Sequence, residues 1–438
     1  MEYSERIGLI TCGAAGARLH RAAVPLLIGV AVAIGLAAPV FGAGDRFDKV
    51  TLLSSEATWK QVQEDINANP ESRQHLAAEA DRGLTGDTLS IVTGKKHVAP
   101  SGNTHDYTSI AVYSWPNPAK PDGLPWINKD GEVNPTVYEY DNAKLESLCH
   151  AVPRLILYAR VSDSATHARR AGTLLRAWFL DEATRMNPNL RYAQFIPGVC
   201  DGRAIGIIDT TSLIFLLDAV THLAFNEEWT PEHLAALKIW FSQYLDWLRS
   251  SEFGKQEEAA ANNHGTWFDA QVVCFAAFCG RPEIVRDQIE RCTKRRIETQ
   301  LEADGAQPHE LKRTLSLTYC TYNLLAYACI ARVASDNGID LWSWRSTEGR
   351  NLHAALTWML PYYTRERAWA HRQIKPFDFT NVVLPLTLAR SDPGNDIPAR
   401  LEAALEKFPW QRVLFSKASL AVRSQPSLAA GASAASHP

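Results

Sequence analysis

From Asp141 almost to its end, this chain places apolar residues at three- and four-residue steps, and that single pattern excludes most folds. Such spacing lays a hydrophobic stripe along one face of an α-helix, whereas a half-buried strand alternates at every second residue. The periodicity predicts helices near 142–160, 164–180, 206–225, 231–250, 266–280, 281–301, 314–335, 350–362 and 377–390. Their connections are short and carry Gly, Pro, Asn and Asp, which end helices and turn the chain. Strand-like alternation is scarce and no exact repeat occurs. Successive helices of similar length joined by short turns suggest stacked antiparallel hairpins. Hairpins closed into a ring leave a cleft where their loops converge. The expected class is all-α.

With 438 residues, 46% of them hydrophobic and 21% charged, the chain can bury a large core in one or two domains. A formal net charge of -3 gives no reason to expect nucleic acid as a partner, and any anionic ligand must be met by local positive groups. Residues 24–40, VPLLIGVAVAIGLAAPV, follow Arg18, His20 and Arg21 and precede small residues at Gly42 and Ala43, the order of a signal peptide spanning 1–43. The alternative is a retained anchor, since 17 apolar residues lie at the lower edge of spanning length. Export to the periplasm or beyond is expected either way, and a membrane enters only if the leader is kept. The body then runs over 44–423, and SQPSLAAGASAASHP (424–438) is expected to be a disordered tail. Seven cysteines remain beyond Cys12, an odd number set mostly in apolar helical contexts, which suits packing better than a full disulfide framework. One disulfide stays open. No CxxC or HExxH spacing suggests a metal, and no cofactor is expected.

Several segments carry polar chemistry. Residues 56–82 read as helix broken at Asn69–Pro70. From about Ser90 to Pro135 the chain becomes Pro/Gly-rich and aromatic, and a loop of that length is usually functional. Trp115 and Trp126 either stack on sugar rings or only pin this loop to the body. In EAAANNHGTWFDAQVV (258–273), Asn262, Asn263 and His264 precede Gly265, Thr266, Trp267 and Phe268. Amides, an imidazole and aromatic faces together are equipment for holding a sugar carboxylate and moving a proton. The plainer reading is a polar helix start with Trp267 as core. RYAQFIPGVCDGRAIGIID (191–209) is a glycine-rich entry to a helix with Gln194, Asp201 and Arg203, either facing a ligand or pairing Asp201 with Arg203 in a connecting loop. QPHELKRTLSLTYCTYN (307–323) supplies His309, Lys312, Arg313, Tyr319, Tyr322 and Asn323.

Taken together, HDYTSIAVYSWPNP with DGLPW and DGEVNP (105–135), YAQFIPGVCDGRAIGIID (192–209), NNHGTWFDAQ (262–271) and QPHELKRTLSLTYCTYNL (307–324) resemble the alginate lyase family of polysaccharide lyases. They run in order over about residues 100–345. The resemblance implies an (α/α) toroid and β-elimination of uronate-containing polysaccharides, often in the periplasm. It carries the family's catalytic Asn-His pair, Arg and Tyr onto Asn263, His264, Arg313 and Tyr319. Asn262, Trp267, Gln194, Arg203, Tyr322, Trp115, His105 and Tyr107 are the expected substrate-binding residues. The partner is then an anionic polysaccharide, handled by a monomer. Better-known members place the tyrosine seven residues after the arginine, and here the step is six, which on a continuous helix lands about 120° away. Either the helix starts after Arg313, with Ser316 as cap, or the arginine reaches around. Tyr322 stays a second candidate, and glucuronan stands beside alginate as substrate.

The chemistry wants these residue types. Removing the C5 proton of a uronate builds negative charge on a carboxylate that is already an anion, so donors must neutralise it. An amide and a guanidinium suit that task. A base takes the proton and an acid protonates the leaving O4. An arginine beside Tyr319 is expected to lower its phenol pKa toward the range of a base. Where the C5 proton and O4 lie on one side, as in mannuronate and glucuronate, one tyrosine serves both steps. In guluronate they lie on opposite sides, which calls for His264 as base. The rivals are a toroidal glycoside hydrolase, drawing its two carboxylates from Asp201, Asp209 and Asp269, and a non-catalytic polyuronate-binding protein.

Overall fold

Ser55 opens the first helix by accepting a hydrogen bond from the Thr58 amide, and Asn69 caps the second with Pro70 at its first position, where a missing N–H costs nothing. These are α1 (Glu56–Ala68) and α2 (Pro70–Thr85) of the computed structural model, which describes residues 52–86 and 88–389. The leader expected at 1–43 and the tail at 424–438 lie outside the described residues.

The long aromatic segment after α2 carries three short strands, β1 (Thr108–Ile110), β2 (Ser114–Trp115) and β3 (Ile127–Asn128). β2 and β3 pair antiparallel, while β1 lies parallel to β4 (Tyr192–Phe195), which fastens the segment to the helical body. The rest is helix: α3 (Asp141–Ser162), α4 (Ala165–Phe179), α5 (Leu213–Val220), α6 (Pro231–Ser250), α7 (Glu252–Glu258), α8 (Asn263–Phe278), α9 (Pro282–Gln288), α10 (Lys294–Gln300), α11 (Pro308–Leu311), α12 (Ser316–Asp336), α13 (Leu352–Tyr363) and α14 (Val383–Leu388). α3 and α4 form a hairpin whose turn puts Asp163 in the left-handed region, φ 54°. α8 buries every residue except His264 and Ala277, packing on α6, α7, α9 and α12. A helix enclosed on all sides is a core helix, and α8 and α12 form the inner layer of an (α/α) toroid that is 58% helix and 5% strand.

Three expected helices are interrupted. The 206–225 segment is a 3₁₀ turn (Ala204–Thr210) followed by α5. The 281–301 segment is divided by a π-turn at Ile289–Thr293, and 377–390 opens as 3₁₀ over Phe379–Val382 before α14. α7 and α11 have no counterpart in the periodicity, because seven and four residues are too short to show an apolar stripe. The seven cysteines among the described residues are free thiols. No helix of the described residues is long and apolar enough to cross a membrane.

Candidate active site

The first turn of α8 is held from behind. Asn262 caps it, accepting from the His264 amide at 3.2 Å. Buried Asp269 pairs with Arg296 at 2.9 Å, and that guanidinium donates to the carbonyls of Glu258 and Ala260. Gln300 Nε2 donates to the Asn262 carbonyl at 2.9 Å. The backbone before His264 is therefore tied at three successive alternate residues. Gly265 is required by this close approach, since a Cβ there would overlap the Arg296 guanidinium and the Ala260 carbonyl.

Two buried carboxylates then orient the Asn-His pair. Glu257, at the end of α7, accepts from His264 Nδ1 at 2.7 Å. An ionised carboxylate only accepts, so Nδ1 carries the hydrogen of this contact, and in the neutral ring Nε2 is the nitrogen with the lone pair. Glu310, on α11, accepts from the Asn263 amide at 2.7 Å and from Asn263 Nδ2 at 2.8 Å. The expected amide donor is thus half engaged, with one Nδ2 hydrogen left for a ligand. Burial pushes the Glu310 carboxyl above the usual range, against the pull of those two donors.

The six-residue step resolves in favour of a late helix start. α12 begins at Ser316, so Arg313 lies in the turn before it and reaches the tyrosine without winding around a helix. Ser316 is not the cap: its hydroxyl donates to the Arg372 carbonyl at 2.6 Å. The Arg313 guanidinium stacks 3.7 Å from the centre of the Tyr319 ring. It also donates to Asp130, with Nη2 to Oδ1 at 2.6 Å. Burial works against the Arg313 charge, but the Asp130 hydrogen bond holds its pKa above the ordinary value.

Tyr319 does not titrate as its arginine suggested. Burial, reinforced by Tyr113, raises it well above the ordinary phenol value and outweighs the opposing pull of Arg313. Its hydroxyl sits 2.8 Å from that of Tyr113, which burial also raises. Desolvation of a phenolate wins over a cation already shared with Asp130.

One cavity of about 530 Å³ gathers these groups. Asn262, Asn263, His264, Trp267, Arg313, Tyr319 and Tyr322 line it, with Gln194 and Arg203. Trp267 and Tyr322 pack ring on ring at 4.6 Å, and the Tyr322 hydroxyl is tied to Thr211 at 3.2 Å. Arg203 turns to the Gln194 carbonyl and Oε1, at 3.1 and 2.9 Å, rather than to Asp201. Three of the expected binding residues lie outside the cavity lining. His105 is half-buried and bonds the Arg185 carbonyl. Tyr107 is buried, with its hydroxyl on Asp209 at 3.1 Å. Trp115 donates to the Glu132 carbonyl and lies under Lys129. His105 and Tyr107 tie the loop to the body, and Trp115 braces the loop against itself. Tyr113, Asp130, Glu257 and Glu310 were not anticipated. Of the three candidates for the two carboxylates a hydrolase would need, Asp269 is enclosed by Arg296, Gln288 and Thr293, and Asp201 is exposed outside the lining. Asp209 alone lines the cavity, raised by burial and holding Gln194, Ser109 and Tyr107. No cluster of His, Cys, Asp and Glu suited to a metal occurs among the described residues.

A helical toroid whose one cleft is lined by a guanidinium-stacked phenol and a carboxylate-held imidazole belongs among the polysaccharide lyases. Residues 91–369 match the alginate lyase family. The crystal structure of an alginate lyase from Bacteroides ovatus is 33% identical with a TM-score of 0.77, covering 83% of this chain and 98% of that one. This chain belongs to the alginate lyase family. Alginate lyase A1-III from Sphingomonas species A1 is more distant, at 16% identity and a TM-score of 0.45 over 78% of this chain and 93% of that one. No curated protein sequence matches.

Proposed function

We propose that the enzyme depolymerises alginate or a close polyuronate such as glucuronan, with Asn263, His264, Arg313 and Tyr319 as its reacting set. The observation that carries this reading is the convergence of all four on one cavity from two separate chain segments. The uronate carboxylate meets the remaining Asn263 amide hydrogen and Arg313, which neutralise the charge that grows as C5–H breaks. The electron pair of that bond becomes the C4=C5 double bond, and the C4–O4 pair leaves on oxygen. Tyr319, kept as a neutral phenol by burial, protonates the leaving O4. His264 Nε2 takes the C5 proton where it lies opposite O4, as in guluronate, with Glu257 balancing the imidazolium. Where both lie on one side, the Tyr319 phenol gives its proton to O4 as the C4–O4 bond breaks, and the phenolate so formed, stabilised by Arg313, takes the C5 proton and is a phenol again. No water is consumed.

Export to the periplasm or beyond is part of the same proposal and rests on the apolar leader at 24–40. Action as a monomer completes it. The test is a substrate panel of polymannuronate, polyguluronate, glucuronan and a neutral glucan, read for the ultraviolet absorbance of unsaturated ends. Absorbance from a polyuronate and none from the glucan is expected. Reducing ends without that absorbance would establish hydrolysis, and binding without depolymerisation a non-catalytic role.

A further inference from the structure

Among the described residues, three permanent cations line the cavity: Arg203, Arg313 and Lys375. The first two are engaged, Arg203 by Gln194 and Arg313 by Asp130. The Lys375 ammonium has no hydrogen-bond or ion-pair partner among the described residues. Its backbone, by contrast, is well fixed. Leu315 and Gln373 form an antiparallel bridge, the Ser316 amide donates to the Arg372 carbonyl, and the Ile374 amide donates to the Thr314 carbonyl, both at 3.0 Å. Gln373 Nε2 donates to the Lys375 carbonyl at 3.1 Å and to Thr318 Oγ1 at 3.0 Å. This register runs Lys375 past the Arg313 end of the turn before α12. Gly131 closes the same rim at φ +83°, where a Cβ would meet Thr314 Oγ1 at 2.7 Å.

A half-buried lysine held on a pinned segment, facing no carboxylate of its own among the described residues, leaves an anion-binding position open. Five carboxylates share the lining: Asp130, Glu146, Asp209, Glu257 and Asp378. Four of them lean on other groups: Asp130 on Arg313, Asp209 on Gln194, Ser109 and Tyr107, Glu257 on His264, and Glu146 near His150. Asp378 is turned to the Thr380 amide that it caps. A lysine is a point charge that follows a carboxylate through several orientations, unlike the fork of an arginine.

We propose that Lys375 binds the carboxylate of a uronate next to the one being cleaved, so that the enzyme selects runs of consecutive uronates over uronates alternating with neutral sugars. This rests on the lyase reading above, which supplies the cleaved residue. A charge-assisted hydrogen bond to a partly solvated carboxylate contributes about 1 to 1.5 kcal/mol, or roughly five- to tenfold in affinity.

The test measures binding of mannuronate and guluronate oligomers, and of the same oligomers with their carboxyls reduced to alcohols, by tryptophan fluorescence. The Tyr319→Phe protein, with and without Lys375→Gln, prevents turnover during titration. The expected result is a Kd about five- to tenfold weaker for charged oligomers on Lys375→Gln, largely restored by Lys375→Arg, with no change for the reduced oligomers. In the active enzyme KM should rise by the same factor while kcat stays within about twofold, because uniform binding is what is lost. Equal Kd values with and without Lys375→Gln would overturn the proposal, as would a fall in kcat at constant KM. Should Lys375→Gln fail to fold, as read by circular dichroism, Lys375→Ala takes its place beside the salt dependence of the native protein, and a charged-oligomer Kd insensitive to both overturns the proposal. An enzyme that forms no unsaturated product yet loses uronate binding on Lys375→Gln would leave this inference standing and remove the lyase reading. Absence of all uronate binding removes both.

Discussion

Replacing Tyr319 by Phe takes away one hydroxyl, and the structure says what else changes. The ring stays buried, and the Arg313 guanidinium 3.7 Å above its centre keeps an aromatic face to stack on. The loss is the 2.8 Å hydrogen bond to the Tyr113 hydroxyl, worth about 1 kcal/mol net. In a protein larger than 250 residues that lowers Tm by no more than about 2–4 °C. Catalysis is another matter. Without the Tyr319 phenol, O4 loses the proton donor assigned to it, and general acid–base groups contribute about 10²- to 10⁴-fold. The assay is continuous absorbance of the unsaturated product on the best polyuronate of the panel, with Tm and oligosaccharide Kd measured in parallel. Tyr113→Phe is the control. It breaks the same bond at the same cost in stability but leaves the Tyr319 phenol, so its activity should fall by less than about tenfold. A Tyr319→Phe enzyme within tenfold of native, or a Tyr113→Phe enzyme as inactive as Tyr319→Phe, would refute the assignment of the phenol.

Two further outcomes are expected. Glu257→Gln keeps an acceptor for His264 Nδ1–H but removes the charge that balances an imidazolium; kcat on polyguluronate should fall at least tenfold and on polymannuronate much less, and an equal effect on both would count against His264 as base. Asp218 accepts the amides of Leu53 and Ser54 at 2.7 and 2.9 Å, and burial pushes its carboxyl from 3.8 up to about 6. The folded state therefore holds this proton more tightly than the unfolded chain. Its contribution is full below pH ~4 and declines by roughly 3 kcal/mol as pH rises to about 6. Asp218→Asn keeps an acceptor without the charge, so its stability should lack that slope between pH 4 and 6, and denaturant curves parallel to native across this range would contradict the account.

The legible parts of this protein are those whose signal is local. Helices of twelve or more residues, such as α6 with its Thr230 cap and Pro231, announce themselves by period and by end residues. Asn263, His264, Arg313 and Tyr319 stand in motifs that read as a family. The residues that set their behaviour have no such signal. Glu257 falls one position before the stretch that stood out, on a helix of seven residues too short to detect. Tyr113 lies 206 positions from Tyr319, and Asp130 lies 183 from Arg313. His105 and Tyr107, which lie outside the cavity lining and bond the body, show the converse: an aromatic or imidazole that lines a cleft and one that ties a loop down look alike until the backbone is folded.

Local order thus determined the all-helical class and the family and marked the four side chains proposed to react, because helical period and short motifs are properties of neighbours in sequence. Folding decided what state those side chains are in. A phenol expected to be acidified by its arginine is held neutral by burial, the arginine is shared with Asp130, and the asparagine is half taken by Glu310. Desolvation and Coulomb energies depend on what surrounds a group in space, and no stretch of sequence lists its spatial neighbours.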